Sequence, residues 1–136
     1  MDDVVLNKAA TIERCILRVR EEHAGDDRNL TASQTRQDAI VLNIQRACEA
    51  AIDLAMHVVR RERLGIPQES REAFELLRKA AILDDRAAAR LSAMVGFRNV
   101  AVHAYQASNL EIVKAVVARD LGDVAAFAEA MVKKYG

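Results

Sequence analysis

Residues that break helices are scarce in this chain of 136 residues, which has one proline and five glycines. The strict alternation of apolar and polar residues that marks a half-buried strand is also missing, and aromatic residues make up only 4%. Alanine, leucine, arginine and glutamate abound instead, and these residues favour helix. The composition therefore excludes a strand-rich fold and predicts helices throughout.

A surplus of charge of one sign is also absent, since 20 basic side chains balance 20 acidic ones. A protein without net charge lacks the broad positive field that drives non-specific binding to nucleic acids. Any contact with a nucleic acid must therefore come from a local cluster of residues.

The two cysteines, Cys15 and Cys48, have no CxxC or Cys/His spacing around them. Both fall among apolar residues at helical spacing, so they are expected to be small buried side chains in a reducing cytosol; a disulfide or a zinc site is the second alternative. No apolar run approaches the length that crosses a bilayer, and the first residues are acidic where a secretory signal would be basic. We therefore expect a cytoplasmic protein without a membrane partner.

Apolar stripes with a period near 3.6 residues predict five to six helices. The first runs from Val5 to a turn at residues 24–27, and the second and longest ends at residues 64–67. The residues expected to begin the later helices are Thr31 with Gln34, Ser70, Asp84, Ser108 with Glu111, and Asp120. The predicted fold is an all-α, compact antiparallel helical bundle that forms a single domain over residues 1–136. The helix begun by Asp84 is expected to run on into residues 98–105, and the last two helices to cover residues 112–118 and 120–135.

The second helix carries apolar residues on more than one face, because Ile52, Met56 and Val59 lie off its main stripe. Such a helix is either central in its bundle or buries one side against a partner. Both alternatives are open, and a homodimer follows from the second.

The sequence RNVAVHAY at residues 98–105 gathers polar groups in an otherwise aliphatic chain. Arg98 has a permanent planar charge suited to a phosphate or carboxylate, and His103 can move a proton near neutral pH. Tyr105 offers a hydroxyl, and Asn99 an amide that can orient its neighbours.

The spacing of these residues prevents them from converging within one regular helix. Arg98 and Tyr105 lie nearly on one line, whereas His103 is turned away from both and shares a face with Asn99. Either the helix loosens before Ser108, or a second copy of the chain completes the site. A purely structural alternative is that these side chains cap a helix end and pair with the acidic face of the second helix.

Glu49, Asp53 and His57 recur every four residues on one face of the second helix. Ligands for one metal ion do not normally span two turns, so a metal site is disfavoured and the two acids are expected to orient Arg98 or a neighbouring arginine. The glycine-rich phosphate loops and the Ser nucleophile motif are absent, and no cofactor is predicted.

The pattern Arg98-Asn99-x3-His103-x-Tyr105 resembles the signature of HEPN domains, most closely that of the HepT-type toxins. The long acidic second helix, DAIVLNIQRACEAAIDLA, and the tail LGDVAAFAEAMVKKYG are similar to the same family, so the resemblance covers nearly the whole chain. It implies a homodimeric, metal-independent ribonuclease with Arg98 and His103 at the active site. It also implies that an MntA-type nucleotidyltransferase antitoxin silences the toxin by attaching AMP to Tyr105.

Proton transfer and charge stabilisation suffice for such a reaction, because RNA supplies its own 2′-hydroxyl nucleophile. His103 would act as general acid or base, Arg98 would hold the phosphate, and Asn99 would orient His103. Two alternatives are a non-catalytic helical partner that binds a nucleotide or substrate for a minimal nucleotidyltransferase, and a structural oligomerisation domain. An RNA-cleavage assay separates the first alternative from the enzyme.

Overall fold

The computed structural model describes residues 1–102 and 107–136, and gives the backbone alone for residues 98, 99, 102, 107 and 108. This part of the chain is helical and contains no strand, which confirms the all-α prediction. None of its helices is long and apolar enough to cross a membrane. The helices are α1 Asp3–His23, α2 Arg28–Thr31, α3 Gln34–Arg61, α4 Ser70–Lys79, α5 Asp85–Met94, α6 Phe97–Val102, α7 Ala107–Ala115 and α8 Leu121–Tyr135, with a π-helical turn at Val116–Asp120.

Helices α1 and α3 form an antiparallel pair. Near the start of α1, Lys8 Nζ lies 3.2 Å from Asp53 Oδ2 in the second half of α3. At the other end of the pair, Arg36 in the first turns of α3 donates to the carbonyl oxygen of Glu22. Helix α8 also packs against α1, and its last residue, Tyr135, accepts a backbone hydrogen bond from the amide just before α1.

Helix α3 is the central helix of the bundle. Half of its 28 residues are buried, and it packs against α1, α2, α4, α6 and α8. Ile52 and Val59, which lie off the main stripe, are 5% and 0% exposed. The central position of α3 in the bundle therefore explains its extra apolar face within one chain, without a partner.

Both cysteines are buried in the core and neither forms a disulfide, as the apolar spacing around them predicted. Cys15 is 4% exposed on α1 and Cys48 is 5% exposed on α3. The core around them is built from aliphatic side chains and three phenylalanines, of which Phe74 and Phe127 meet edge to face with centroids 5.7 Å apart.

The start of α3 differs from the prediction that Thr31 caps it. Ser33 is the capping residue: its backbone is extended, and its hydroxyl accepts from the amide of Arg36 at 3.2 Å. Thr31 instead ends the short helix α2, whose Leu30 is fully buried. Burial of Leu30 thus adds a helical turn that the local sequence did not predict.

Of two further predicted capping residues, Asp84 is confirmed and Ser70 is wrong. Asp84 accepts from the amide of Ala87 at 2.7 Å and begins α5, as predicted. Ser70 does not precede its helix but is the first residue of it, after Glu69, which makes no side-chain capping bond.

The helix expected to run from Asp84 into the motif is interrupted. Helix α5 ends at Met94, and α6 begins at Phe97 after a turn that contains Gly96. A Cβ atom at Gly96 would lie 3.3 Å from Nη2 of Arg71, so the missing side chain allows the α4 arginine to approach closely.

The last two predicted helices are joined without a break. Residue 108 lies inside α7 rather than before it, and the helix continues through the π-helical turn Val116–Asp120 directly into α8. The predicted capping box at Ser108 and the predicted break before Asp120 are therefore wrong. The π-helical turn shifts the side of the helix on which the later residues lie, so no break is needed for that shift.

Candidate functional site

Helix α6 holds the first part of the sequence motif. It has six residues, and it is fixed to the bundle by Phe97, which is 4% exposed, and by packing against α3. The buried ring therefore sets the position of the start of this helix. The backbone of residues 98 and 99 follows directly from this anchor.

The polar groups of the motif are beyond what the structure describes. The side chains of Arg98 and Asn99, and all of His103 and Tyr105, lie outside the described residues. Their convergence on one site, within one chain or between two, therefore stays a prediction.

A cleft of about 450 Å³ opens beside α6, between α5 and the helix that contains the π-helical turn. Its floor is apolar: Met94, Phe97 and Val116 are each less than 10% exposed. We call it the α6 cleft. Its described lining comprises Arg90, Ala93, Met94, Gly96, Phe97, Val100, Ile112, Val116, Arg119 and Asp120.

Carboxylates hold the two arginines of the α6 cleft in place. Arg119 Nε donates to Asp120 Oδ1 at 2.8 Å, and this hydrogen bond raises the pKa of the guanidinium. Arg90 Nη1 lies 3.3 Å from an oxygen of Asp123. The arginines remain partly exposed, at 66% and 36% of the side chain, so their other N–H groups can meet a ligand.

Glu49 and Asp53, the two predicted supporting acids, lie together in a second cavity, a groove of about 780 Å³ between α1 and α3. We call it the α1–α3 groove. Four basic side chains share it with the two acids, and two of them are paired with carboxylates: Lys8 with Asp53 at 3.2 Å and Arg18 with Glu22 at 3.0 Å. The basic residues are Lys8, Arg14, Arg18 and Arg46.

The described partner of Asp53 is the ammonium group of Lys8, at 3.2 Å. Both side chains are substantially exposed, at 55% and 38%, so the pair is a surface ion pair. The orientation of Arg98 by Asp53 or Glu49 stays a prediction, because the side chain of that arginine lies outside the described residues.

The line of Glu49, Asp53 and His57 does not act as one set of ligands. His57 Nε2 lies 2.8 Å from Asp2 Oδ2 at the start of α1, while Asp53 faces Lys8. Across residues 1–102 and 107–136, no group of three His, Cys, Asp or Glu side chains is arranged to hold a metal ion.

Asp2 organises a cluster that the sequence analysis missed. Its side chain is 8% exposed; it accepts from the amides of Val4 and Val5, from His57, and from Arg61 Nη1 at 2.9 Å. The hydrogen bond from His57 is the main reason why the pKa of the Asp2 carboxyl lies well below its usual range. The cluster ties the start of α1 to the end of α3, a structural role. The only local signal was an aspartate immediately before an apolar helix.

Comparisons of the sequence with known proteins identify a family that it matches. The sequence profile of the family described as "Ribonuclease HepT-like" matches residues 12–131. The chain is also 46% identical, over 127 residues, to a protein of Shewanella oneidensis named mRNA nuclease HepT; the alignment covers 93% of this chain and 95% of that protein.

Solved structures give the same relationship. A crystal structure of a mutant of the toxin–antitoxin MntA–HpeT superposes with a TM-score of 0.91 at 42% identity, covering 97% of this chain and 99% of that one. A tri-AMPylated Shewanella oneidensis HEPN toxin, in complex with MNT antitoxin, superposes with a TM-score of 0.89 at 44% identity, covering 98% and 99%. The similarity therefore extends over the whole bundle.

Proposed function

The chain belongs to the ribonuclease HepT-like family, and on that premise we propose that it is the toxin of a toxin–antitoxin system, a metal-independent endoribonuclease. The observation that carries this proposal is 46% identity, over 93% of the chain, to mRNA nuclease HepT, in a sequence with the pattern Arg98-Asn99-x3-His103-x-Tyr105. The matched length supports one functional domain over residues 1–136. An RNA substrate implies that the protein acts in the cytoplasm.

Cleavage needs only groups that this chain supplies. His103 accepts the proton of the RNA 2′-hydroxyl, or donates one to the leaving 5′-oxygen, while the 2′-oxygen attacks the adjacent phosphorus. Arg98 stabilises the negative charge that grows on the phosphate oxygens. Asn99 orients His103, and Glu49 and Asp53 support the site from α3.

RNA reaches the site although the protein has no net charge. The four basic side chains of the α1–α3 groove provide the cluster of cations that the neutral composition made necessary, next to the proposed supporting acids, although Lys8 and Arg18 also pair with carboxylates. Lysine and arginine contacts to phosphates supply affinity without sequence specificity.

We infer that two copies of the chain build the active site. Arg98 and His103 are five residues apart, so one regular helix turns them away from each other. A homodimer that places residues 98–105 of two chains side by side lets the arginine of one copy meet the histidine of the other. Sedimentation at micromolar concentration should show a dimer, and a monomer would contradict the composite site.

Growth inhibition tests the assignment of the two catalytic residues. We expect Arg98→Ala and His103→Ala to abolish toxicity at equal expression, because each removes one of the two groups that the reaction needs. Arg86→Ala, an exposed arginine on α5, is the matched control and should stay toxic. A toxic His103→Ala variant would exclude His103 as the proton-transfer group.

Neutralisation is proposed to occur by AMP transfer to Tyr105, catalysed by an MntA-type nucleotidyltransferase antitoxin: the phenol oxygen attacks the α-phosphorus of ATP, loses its proton, and pyrophosphate leaves. The tri-AMPylated state of the Shewanella HEPN toxin supports this route. The added phosphates would direct negative charge at Arg98 and obstruct RNA.

Co-expression with the nucleotidyltransferase, followed by intact-mass analysis, tests the acceptor residue. The expected result is an AMP adduct on the wild type and none on Tyr105→Phe. An adduct that persists on Tyr105→Phe would rule Tyr105 out. A protein that gains AMP but cleaves no RNA in its unmodified form would instead be the non-catalytic partner.

A further inference from the structure

We propose that the α6 cleft is a nucleobase subsite, which seats the base of an RNA nucleotide next to the scissile phosphate, with the phosphate of that nucleotide at Arg119 and Arg90. The inference rests on the proposed ribonuclease function and adds a substrate-binding site to it. Four features carry it: the position of the cleft, its floor, its rim and the irregular helix that forms one wall.

The position of the α6 cleft ties it to the reaction. Phe97 and Val100, which line it, belong to the same helix as residues 98 and 99. A molecule in the cleft therefore contacts the helix on which the proposed phosphate-binding arginine is located. We therefore assign the cleft to a nucleotide adjacent to the cleaved bond.

The floor has the chemistry of a base-stacking surface. Phe97, Met94 and Val116 are 4%, 7% and 3% exposed, so they form a packed apolar surface. Nucleobases stack on aromatic side chains such as Phe97 with little dependence on sequence, and Met94 and Val116 extend the apolar surface beside that ring. A volume of about 450 Å³ falls within the range of small-molecule sites.

The rim has the chemistry of a phosphate contact. Arg119 uses its Nε–H for Asp120, and the four N–H groups on its terminal nitrogens can meet oxygens of a ligand. Arg90 is held by Asp123 through its terminal nitrogen Nη1, which lies 3.3 and 3.4 Å from the two carboxylate oxygens. Because the two carboxylates offset the two guanidinium charges, the rim positions a phosphate, and the apolar floor supplies most of the affinity.

The wall of the α6 cleft contains the π-helical turn Val116–Asp120. Such turns are rare in helices and are frequent at functional sites, because the widened turn shifts the face that each later residue presents. Here both the floor residue Val116 and the rim residue Arg119 lie within that turn.

Filling the α6 cleft from its edge tests the inference. Ala93 lines the cleft but is exposed, so Ala93→Phe can place a ring in the mouth of the cleft without disturbing the core. Ala89→Phe is the matched control, since Ala89 is exposed on the same helix α5 and is not among the lining residues. Both substitutions are made in the full chain with His103→Ala, which prevents cleavage during the measurement.

The readout is fluorescence anisotropy with a 5′-labelled single-stranded RNA oligonucleotide. We expect Ala93→Phe to weaken binding about 5- to 150-fold, the loss of one stacked base, and Ala89→Phe to bind as the parent does. Equal binding by the two variants would overturn the subsite and leave the ribonuclease proposal intact. If the parent protein binds no RNA, the subsite is excluded as well.

Two further measurements keep the test decisive. If Ala93→Phe does not fold, Arg119→Gln replaces it, with Arg86→Gln as its control; unchanged binding by Arg119→Gln would overturn the rim contact. The other possible occupant of the cleft is a side chain from a second copy of the chain, because Ile112 at the mouth is 44% exposed. Sedimentation of Ala93→Phe tests for that occupant. Conversion of a dimer to a monomer would show a dimer interface and overturn the base subsite. By contrast, failure of the wild type to cleave RNA refutes the proposed function.

Discussion

Phe97 is the residue on which the position of the motif helix depends most, and Phe97→Ala is the sharpest perturbation of it. The ring is 4% exposed and belongs to the hydrophobic core, so its removal leaves a cavity. Substitutions of a buried phenylalanine by alanine cost about 3–5 kcal/mol of unfolding free energy. A domain of this size is stable by about 5–15 kcal/mol, so the variant should remain folded with a melting temperature lowered by about 10–20 °C.

The functional effect of Phe97→Ala should exceed its effect on stability. Residues 98 and 99 directly follow the buried ring of Phe97, so they lose their position when that ring is removed. Leu77→Ala on α4 is the matched control, because Leu77 is also fully buried and its truncation costs about 2–5 kcal/mol.

Urea denaturation and RNA cleavage are compared well below both melting temperatures. We expect the phenylalanine variant to lose cleavage while the leucine variant retains it. A cost below about 1 kcal/mol for Phe97→Ala, or equal activity of the two variants, would refute the anchoring role.

Two further substitutions test the electrostatic contacts of α1 with α3. Asp2→Asn keeps the capping oxygen but removes the charge that faces His57 and Arg61. The contacts with these two residues lower the pKa of the folded Asp2 carboxyl below its usual 3.8. They therefore stabilise the protein above about pH 3.8, and this contribution is lost as the pH falls further. In urea melts the wild type should therefore exceed Asp2→Asn at pH 7, with a difference that shrinks below pH 3.8; a constant difference would contradict this. Asp53→Asn should change the unfolding free energy by less than about 1 kcal/mol, since its pair with Lys8 is exposed, and a larger loss would show a second partner.

The helices with long apolar stripes were predictable from the sequence because burial repeats along them with the helical period. Helices α1, α3 and α8 follow this pattern, and Asp84 was a strong local cap. Tertiary packing decided where α3 begins: Ser33 rather than Thr31 caps it, because Thr31 is the last residue of α2, the short helix that buries Leu30.

The candidate site also has parts that the sequence suggests and parts that depend on tertiary packing. The motif residues Arg98 and His103 were proposed from side-chain chemistry and from the family resemblance, and they stay a prediction because their side chains lie outside the described residues. The α6 cleft could not be predicted, because it requires α5, α6 and the π-helical turn to meet, and the interruption at Gly96 was hidden by an unbroken helical pattern. The contact between Asp2 and His57 joins residues 55 positions apart, a separation over which local spacing carries no information.

The central claim, that Arg98 and His103 form a metal-independent ribonuclease, is tested most directly by RNA cleavage with the purified protein in EDTA. We expect the wild type to cleave single-stranded RNA at a rate that EDTA does not change. His103→Ala should lower the rate about 10²- to 10⁴-fold, the usual contribution of a general acid or base, without changing the melting curve. Absence of cleavage by the wild type, inhibition by EDTA, or full activity of His103→Ala would contradict the account.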